Sequence, residues 1–102
     1  MGELSAGGQV TLVDNQAVGQ YELRLDGRRV GLLSYHDRDG VLVLAHTETL
    51  PEFGGRGLAG RLVGFALDDL QARGRLVDPA CPFVRAFIDK HPEYQDLIAH
   101  QG

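Results

Sequence analysis

Between Gly19 and Leu25 the chain alternates, with Tyr21, Leu23 and Leu25 on one side and Glu22 and Arg24 on the other. A period of two marks a strand with one buried face. Asp26-Gly27 follows at once, a dipeptide suited to the left-handed backbone of a two-residue hairpin. Arg29–His36 reads as the returning strand, and Asp39-Gly40 signals a second hairpin. Val41–Ala45 is apolar on both faces, which predicts a central strand covered on both sides. Gln9–Val13 alternates more weakly and is closed by the turn-forming Asp14-Asn15. The first half therefore predicts an antiparallel meander.

The period then changes. Leu58, Ala59, Leu62, Val63, Phe65, Ala66, Leu67 and Leu70 fill one broad face of a helix running from Gly57 to Arg73. Arg61, Gly64, Asp68 and Gln71 fall on the opposite, polar side, and Gly74 supplies the stop. Leu76-Val77 begins a short strand ending near Cys81-Pro82. Phe83–Lys90 predicts a short helix with Phe83, Phe87 and Ile88 turned inward. His91-Pro92 breaks it, and Glu93–His100 forms a last helical turn or two. A strand–helix–strand crossover makes its two strands parallel. The expected class is α+β: a mixed, mostly antiparallel sheet of about five strands, one main helix and short C-terminal helices.

At 102 residues the chain predicts a single domain spanning 1–102, with the Gly-rich first eight residues frayed. It has no stretch of about 18 apolar residues, so no membrane span is expected. Neither does the N-terminus carry a basic segment followed by an apolar one, as a signal peptide would. Cys81 is the one cysteine, which excludes an intrachain disulfide and a Cys-x-x-Cys zinc site and points to a cytoplasmic setting. His36 and His100 have no spaced ligand partners, so no metal site is expected. A net charge of −4 argues against non-specific nucleic-acid binding. Locally the balance reverses. Residues 54–75 hold Arg56, Arg61, Arg73 and Arg75 against Asp68 and Asp69, a setting for a small anion.

The richest stretch is Phe53-Gly54-Gly55-Arg56-Gly57-Leu58-Ala59-Gly60-Arg61. It follows a central strand and opens the main helix. Glycine lets a backbone approach a ligand closely, and the first N–H groups of a helix have no internal partners. Together with the macrodipole they suit a phosphate, and Arg56 and Arg61 can add charge-assisted contacts. Neither a Gly-Lys-Ser/Thr loop nor a Gly-x-Gly-x-x-Gly fingerprint after a first strand is present.

Arg56-Gly57-Leu58-Ala59 resembles the acyl-CoA signature of the GNAT superfamily of N-acyltransferases. Gly54 stands where that signature carries Gln or Arg, so no side-chain contact is expected from it, and the backbone cradle is unaffected. The chain is most similar to a compact single-domain acetyltransferase-like group. His46-Thr47-Glu48, Gly54–Ala59, Cys81-Pro82-Phe83 and His91-Pro92-Glu93-Tyr94 occur here in that group's order, over roughly residues 9 to 100. The resemblance implies an acetyl-CoA site. The pyrophosphate would sit at Gly55, Arg56, Gly57, Leu58, Ala59, Gly60 and Arg61. The pantetheine arm would run along Thr47–Thr49, pairing with backbone groups at Thr47 and Thr49. The acetyl group would lie between that strand and Cys81, with Phe83 also at the cofactor. Asp14–Val18 is too short to hold the helices that wall the acceptor site in larger relatives, so an open acceptor side is expected.

Transfer to an amine needs a base, stabilisation of the oxyanion and departure of the CoA thiolate. Cys81, before a helix start, reads either as a nucleophile that forms an acetyl-cysteine or as a small apolar lining residue. His46 and Glu48, two apart on a strand, share a face, and either can take a proton. They read equally as a polar strand end, with an arginine partner for Glu48. Tyr94 reads as a proton donor to the thiolate or as packing, and Arg85 and Lys90 as contacts to the adenosine phosphate or as a solvated face. Three functions are open: an acetyl-CoA-dependent N-acetyltransferase, a non-catalytic CoA or acyl-CoA binding module, and an interaction domain whose glycine loop is a linker. The acceptor is an amine, either a small molecule or a protein lysine.

Overall fold

The computed structural model describes residues 9–99. The frayed start expected at residues 1–8 and His100, the expected end of the last helical turns, lie outside them. Strands β1 (Val10–Asn15), β2 (Gln20–Leu25), β3 (Arg28–Arg38) and β4 (Val41–Thr49) form the expected antiparallel meander. Both predicted hairpins are present. Asp26 and Gly27 have φ of 51° and 85°, and Asp39 and Gly40 have 54° and 87°. These left-handed pairs match the right-handed twist of the flanking strands. β1 runs two residues further than the sequence suggests, through Asp14 and Asn15, because both pair with β2.

A short 3-10 turn (Pro51–Phe53) leads to helix α1 (Leu58–Ala72). β5 is only Val77–Asp78, parallel to β4 at Leu42 and Val43. The sequence suggests a strand reaching Cys81, but Pro79 has no N–H to continue a ladder. α2 (Pro82–Lys90) and a 3-10 segment (Pro92–Leu97) complete the chain, and Ile98 bridges back to Val77. The sheet order is β1-β2-β3-β4-β5.

Leu62, Val63, Ala66, Leu67 and Leu70 bury the apolar face of α1 against Tyr21, Leu23, Leu33 and Leu44. Gly74, at φ 68°, ends the helix, and the Arg75 amide reaches back 2.9 Å to the Leu70 carbonyl. The supposedly polar side of α1 is not free. The Phe87 ring lies where Cβ atoms on Gly60 and Gly64 would meet it at 3.8 and 3.5 Å. The Tyr94 hydroxyl donates to Asp68 at 2.6 Å. Glycine at these helical positions is thus a docking notch for α2 rather than part of a solvated face. On α2, Val84 and Ile88 are the buried pair, while Phe83, expected inward, is 43% exposed.

Glu22 also departs from the simple alternation. It is 3% exposed although it stands on the side away from α1. Asn15 Nδ2 at 3.0 Å, Gln20 Nε2 at 2.7 Å and the Arg24 guanidinium all donate to its carboxylate. Burial pushes its pKa up, but hydrogen bonds from Gln20, Arg24 and Asn15 more than offset this and hold it at about 2. A carboxylate held below its unfolded value stabilises the fold above that value and loses the contribution as pH falls. We expect stability to drop by about 3 kcal/mol between roughly pH 5 and pH 2 from this group. Glu22→Gln flattens that limb of a urea titration against pH; an unchanged acid limb refutes the assignment. Gly64→Ala, whose Cβ meets Phe87 at ordinary contact distance, should raise stability by up to about 1 kcal/mol through helix propensity. Gly64→Leu should lower the thermal midpoint by displacing Phe87.

Candidate active site

The site begins with a fault in β4. Ser34 faces His46 while the next residue, Tyr35, faces Leu44, so Ala45 is an extra, unpaired residue. This β-bulge puts Leu44 and Thr47 on the same face although they are three apart. On the other edge of β4, pairing with β5 stops at Val43, and the Cys81 amide takes the Leu44 carbonyl at 2.9 Å. From Ala45 to Thr49 that edge has no strand partner among the described residues. The two parallel strands part there, leaving backbone groups exposed along a seam.

Cys81 sits at this parting, 5% exposed and one residue before α2. Its Sγ lies 3.3 Å from Thr47 Oγ1. Burial pushes the thiol pKa up, but the Thr47 hydroxyl and the N–H groups of Val84, Phe83 and Thr47 more than offset it, so the net shift is downward. The sulfur therefore occupies a small ring of donors drawn from both sides of the seam. His46 and Glu48 are joined to each other: His46 Nε2 donates to Glu48 Oε2 at 2.7 Å. They are 59% and 61% exposed. Alternation along β4 places them on the face opposite Thr47. Cys81 thus pairs with Thr47 on the α1 side, and the two titratable groups face the other way. The hydrogen-bond partner of Glu48 is His46, not an arginine.

The glycine loop opens α1 as expected. Gly55 and Gly57 have φ of 80° and 74°, and nothing lies within 4 Å of a Cβ built on either. Gly57 is the N-cap residue and supplies no capping side chain. Among the described residues, no N–H from Gly55 to Gly60 donates to a protein acceptor. Leu58, Ala59 and Gly60 are the first helical residues, with Arg61 exposed behind them. Arg56 lays its guanidinium 5.3 Å from the Phe53 ring centroid. Six free amides at the positive end of a 15-residue helix make a cradle for an anion. Thr49 pairs with Gly31, half-buried at the end of β4.

Three further candidates of the sequence are Tyr94, Arg85 and Lys90. Tyr94 donates to Asp68, which raises its pKa to about 12 and makes it a clamp on α1. Arg85 and Lys90 are exposed on α2. No cluster of three potential metal ligands occurs among the described residues. No described helix is long and apolar enough to cross a membrane. A cavity of about 270 Å³ at the far end of α1 is lined by Asp14, Tyr35, Arg73 and Arg75 among others, with Arg75 paired to Asp37 at 2.7 Å in its wall. The Thr47–Cys81 contact was not foreseen from sequence. Its signal is the slipped alternation of Leu42, Leu44, Thr47 and Thr49.

A bulged strand, a parted parallel seam and a helix start with free amides define an acyltransferase type of α+β domain. A family model described as GCN5-related N-acetyl-transferase matches residues 20–97, and the chain belongs to that family. A GCN5-like protein from Staphylococcus aureus, known from a solution structure, aligns with a TM-score of 0.65 at 16% identity, over 95% of this chain and 93% of its own. The ribosomal-protein-S18-alanine N-acetyltransferase of Escherichia coli aligns at 0.58 and 13% identity, over 86% of this chain and 56% of its own. The ribosomal-protein-alanine N-acetyltransferase of Brucella melitensis biovar Abortus 2308 gives 0.50 and 20%, over 81% and 62%. At these identities the likeness shows the fold. No curated protein sequence matches the chain.

Removing the Thr47 hydroxyl removes a donor to the sulfur. Thr47→Val should raise the Cys81 pKa and slow its alkylation near neutral pH by up to about tenfold, measured as rate against pH. An unshifted profile rules out Thr47 as a donor.

Proposed function

We propose that this chain is an N-acetyltransferase that moves acetyl from acetyl-CoA to an amine in the cytoplasm. The observation that carries the reading is the set of unoccupied amides from Gly55 to Gly60, aligned at the start of α1. A pyrophosphate fits that cradle because neither Gly55 nor Gly57 places a side chain in it. Arg56 and Arg61 supply positive charge beside it. The unpaired edge of β4 from Ala45 to Thr49 offers backbone groups to an amide-bearing arm such as pantetheine. A thioester laid along that edge brings its carbonyl near Cys81, at the point where the strands part.

His46 and Glu48 then provide the base. With Glu48 as the acceptor in their hydrogen bond, the proton between them sits on His46 Nε2. The pair can take one proton from an incoming ammonium. The amine nitrogen then forms its bond to the acetyl carbon, the C–S bond breaks, and the electron pair leaves on the CoA sulfur, which takes up a proton. Direct attack suits the geometry, since the base and Cys81 stand on opposite faces of β4. Cys81 lines the acetyl position in this reading. The lowered thiol pKa favours one second reading, a covalent acetyl-cysteine formed and then discharged to the amine.

Isothermal titration with acetyl-CoA should give saturable binding. Gly57→Val, strained at φ 74° and filling the cradle, should weaken it by about tenfold or more without unfolding the sheet. No saturation at millimolar acetyl-CoA sinks the reading. Direct transfer predicts that Cys81→Ala retains turnover and that intact-protein mass spectra show no acetyl adduct. An adduct together with an inactive Cys81→Ala variant selects the acetyl-cysteine route.

A further inference from the structure

The hairpin between β2 and β3 brings a second cation to the glycine loop. Leu25 and Arg28 pair across the Asp26-Gly27 turn, so Arg28 is the first residue of β3. Gly31 pairs with Thr49, and the Leu50 amide donates to the Val30 carbonyl at 2.9 Å. This register sets the start of β3 beside the 3-10 turn that precedes the loop. The two neighbouring arginines part there. Arg29 stands 3.9 Å from the Glu22 carboxylate. Arg28 turns to the loop instead. Its guanidinium carbon lies 5.9 Å from the Phe53 ring centroid, and that of Arg56 lies 5.3 Å from the same centroid. Two guanidiniums from distant parts of the chain thus share one aromatic ring, just ahead of the amide cradle. Arg28 Nη2 also donates to Glu52 Oε2 at 3.2 Å, a contact between groups that are 62% and 56% exposed.

We propose that Arg28, together with Arg56, binds the 3′-phosphate on the ribose of CoA, so that the chain distinguishes CoA from 3′-dephospho-CoA. This rests on the acetyl-CoA reading above and adds a specificity-determining residue to it. Three observations carry it. The amides from Gly55 to Gly60 already match a diphosphate, and the two guanidiniums stand beside that cradle rather than in it, where a further phosphate of the same ligand would need them. A guanidinium over a ring face keeps the N–H groups of its plane for an acceptor, and a phosphate monoester, largely a dianion at neutral pH, matches two such forks in charge and shape. The partner Arg28 has in this structure, Glu52, is a single exposed carboxylate; pairs of this kind hold weakly, and a dianion displaces it. Arg85 and Lys90, the candidates of the sequence for this phosphate, stand exposed on α2, whereas Arg28 and Arg56 meet at the loop itself.

Isothermal titration of the full chain with CoA and with 3′-dephospho-CoA tests this directly. Dephospho-CoA should bind about tenfold more weakly in about 0.1 M salt, and the gap should narrow in about 1 M salt, where screening shortens to about 3 Å. Arg28→Ala should weaken CoA several-fold, leave dephospho-CoA unmoved and so close most of the gap. Arg28→Lys should keep part of the gap, because the charge stays and the fork is lost. Glu52→Gln removes the competing carboxylate and should tighten CoA by about two- to threefold, with no effect on dephospho-CoA. Equal affinity of the two ligands overturns the proposal. So does a gap that survives Arg28→Ala or that Arg85→Ala abolishes. Arg28 and Glu52 variants that move neither constant mark a surface ion pair only, which also overturns it. If neither ligand binds at millimolar concentration, the donor reading itself falls, and binding of dephospho-CoA tells the two failures apart.

Discussion

Val43 pairs with Asp78, the Cys81 amide reaches the Leu44 carbonyl, and there the parallel seam between β4 and β5 stops. The rest of the site depends on this short pairing. A strand that kept its neighbour would have no free backbone edge, because buried N–H and C=O groups are almost always paired. The extra residue Ala45 turns β4 at the same point and sets the phase of residues 46–49. Thr47 then faces the core side and meets Cys81, while His46 and Glu48 face outward. One irregularity thus sorts the thiol from the titratable pair.

The seam holds its shape because α1 is fixed at both ends. At its C-terminal end the Tyr21 hydroxyl donates to Asp69 at 2.7 Å, and Arg73 stands 3.1 Å from Asp69 and 3.5 Å from Asp14. Burial and the Asp69 contact push the Tyr21 pKa far up, so its hydroxyl remains a donor at any ordinary pH. Midway, the Gly60–Gly64 notch receives Phe87, whose ring stacks on His91 at 4.0 Å. Tyr94 reaches Asp68 alongside. These contacts leave the N-terminal turn of α1 as the end with free amides, and an anion is the complement such an end accepts.

Much of the fold was legible locally. Asp26-Gly27 and Asp39-Gly40 fix two hairpins through backbone preference alone, and the 3.6-residue period fixes α1 to within a residue at each end. The glycine loop was legible for the same reason, since a helix start without a capping side chain can be read from residue types. Other features escaped because their cause is not local. Glu22 reads as a surface residue and is buried by the donors Asn15, Gln20 and Arg24 that fold over it. Gly64 and Asp68 read as a solvated face and are the seat of Phe87 and a partner of Tyr94. Phe83 reads as core and stands exposed because Val84 and Ile88 take the inward positions of α2.

Residue types and their spacing were enough to set the order of strands and helices, the two tight turns, the helix start with unfilled amides and the kinds of side chain at hand. Each of these depends on backbone preference or periodicity within a few residues. Which of those side chains meet was settled only by the packed fold. Cys81 and Thr47 are 34 positions apart and touch across the seam, while the adjacent His46 and Thr47 point to opposite faces. Register and the bulge fix such meetings, and both are set by the packing of whole elements against one another.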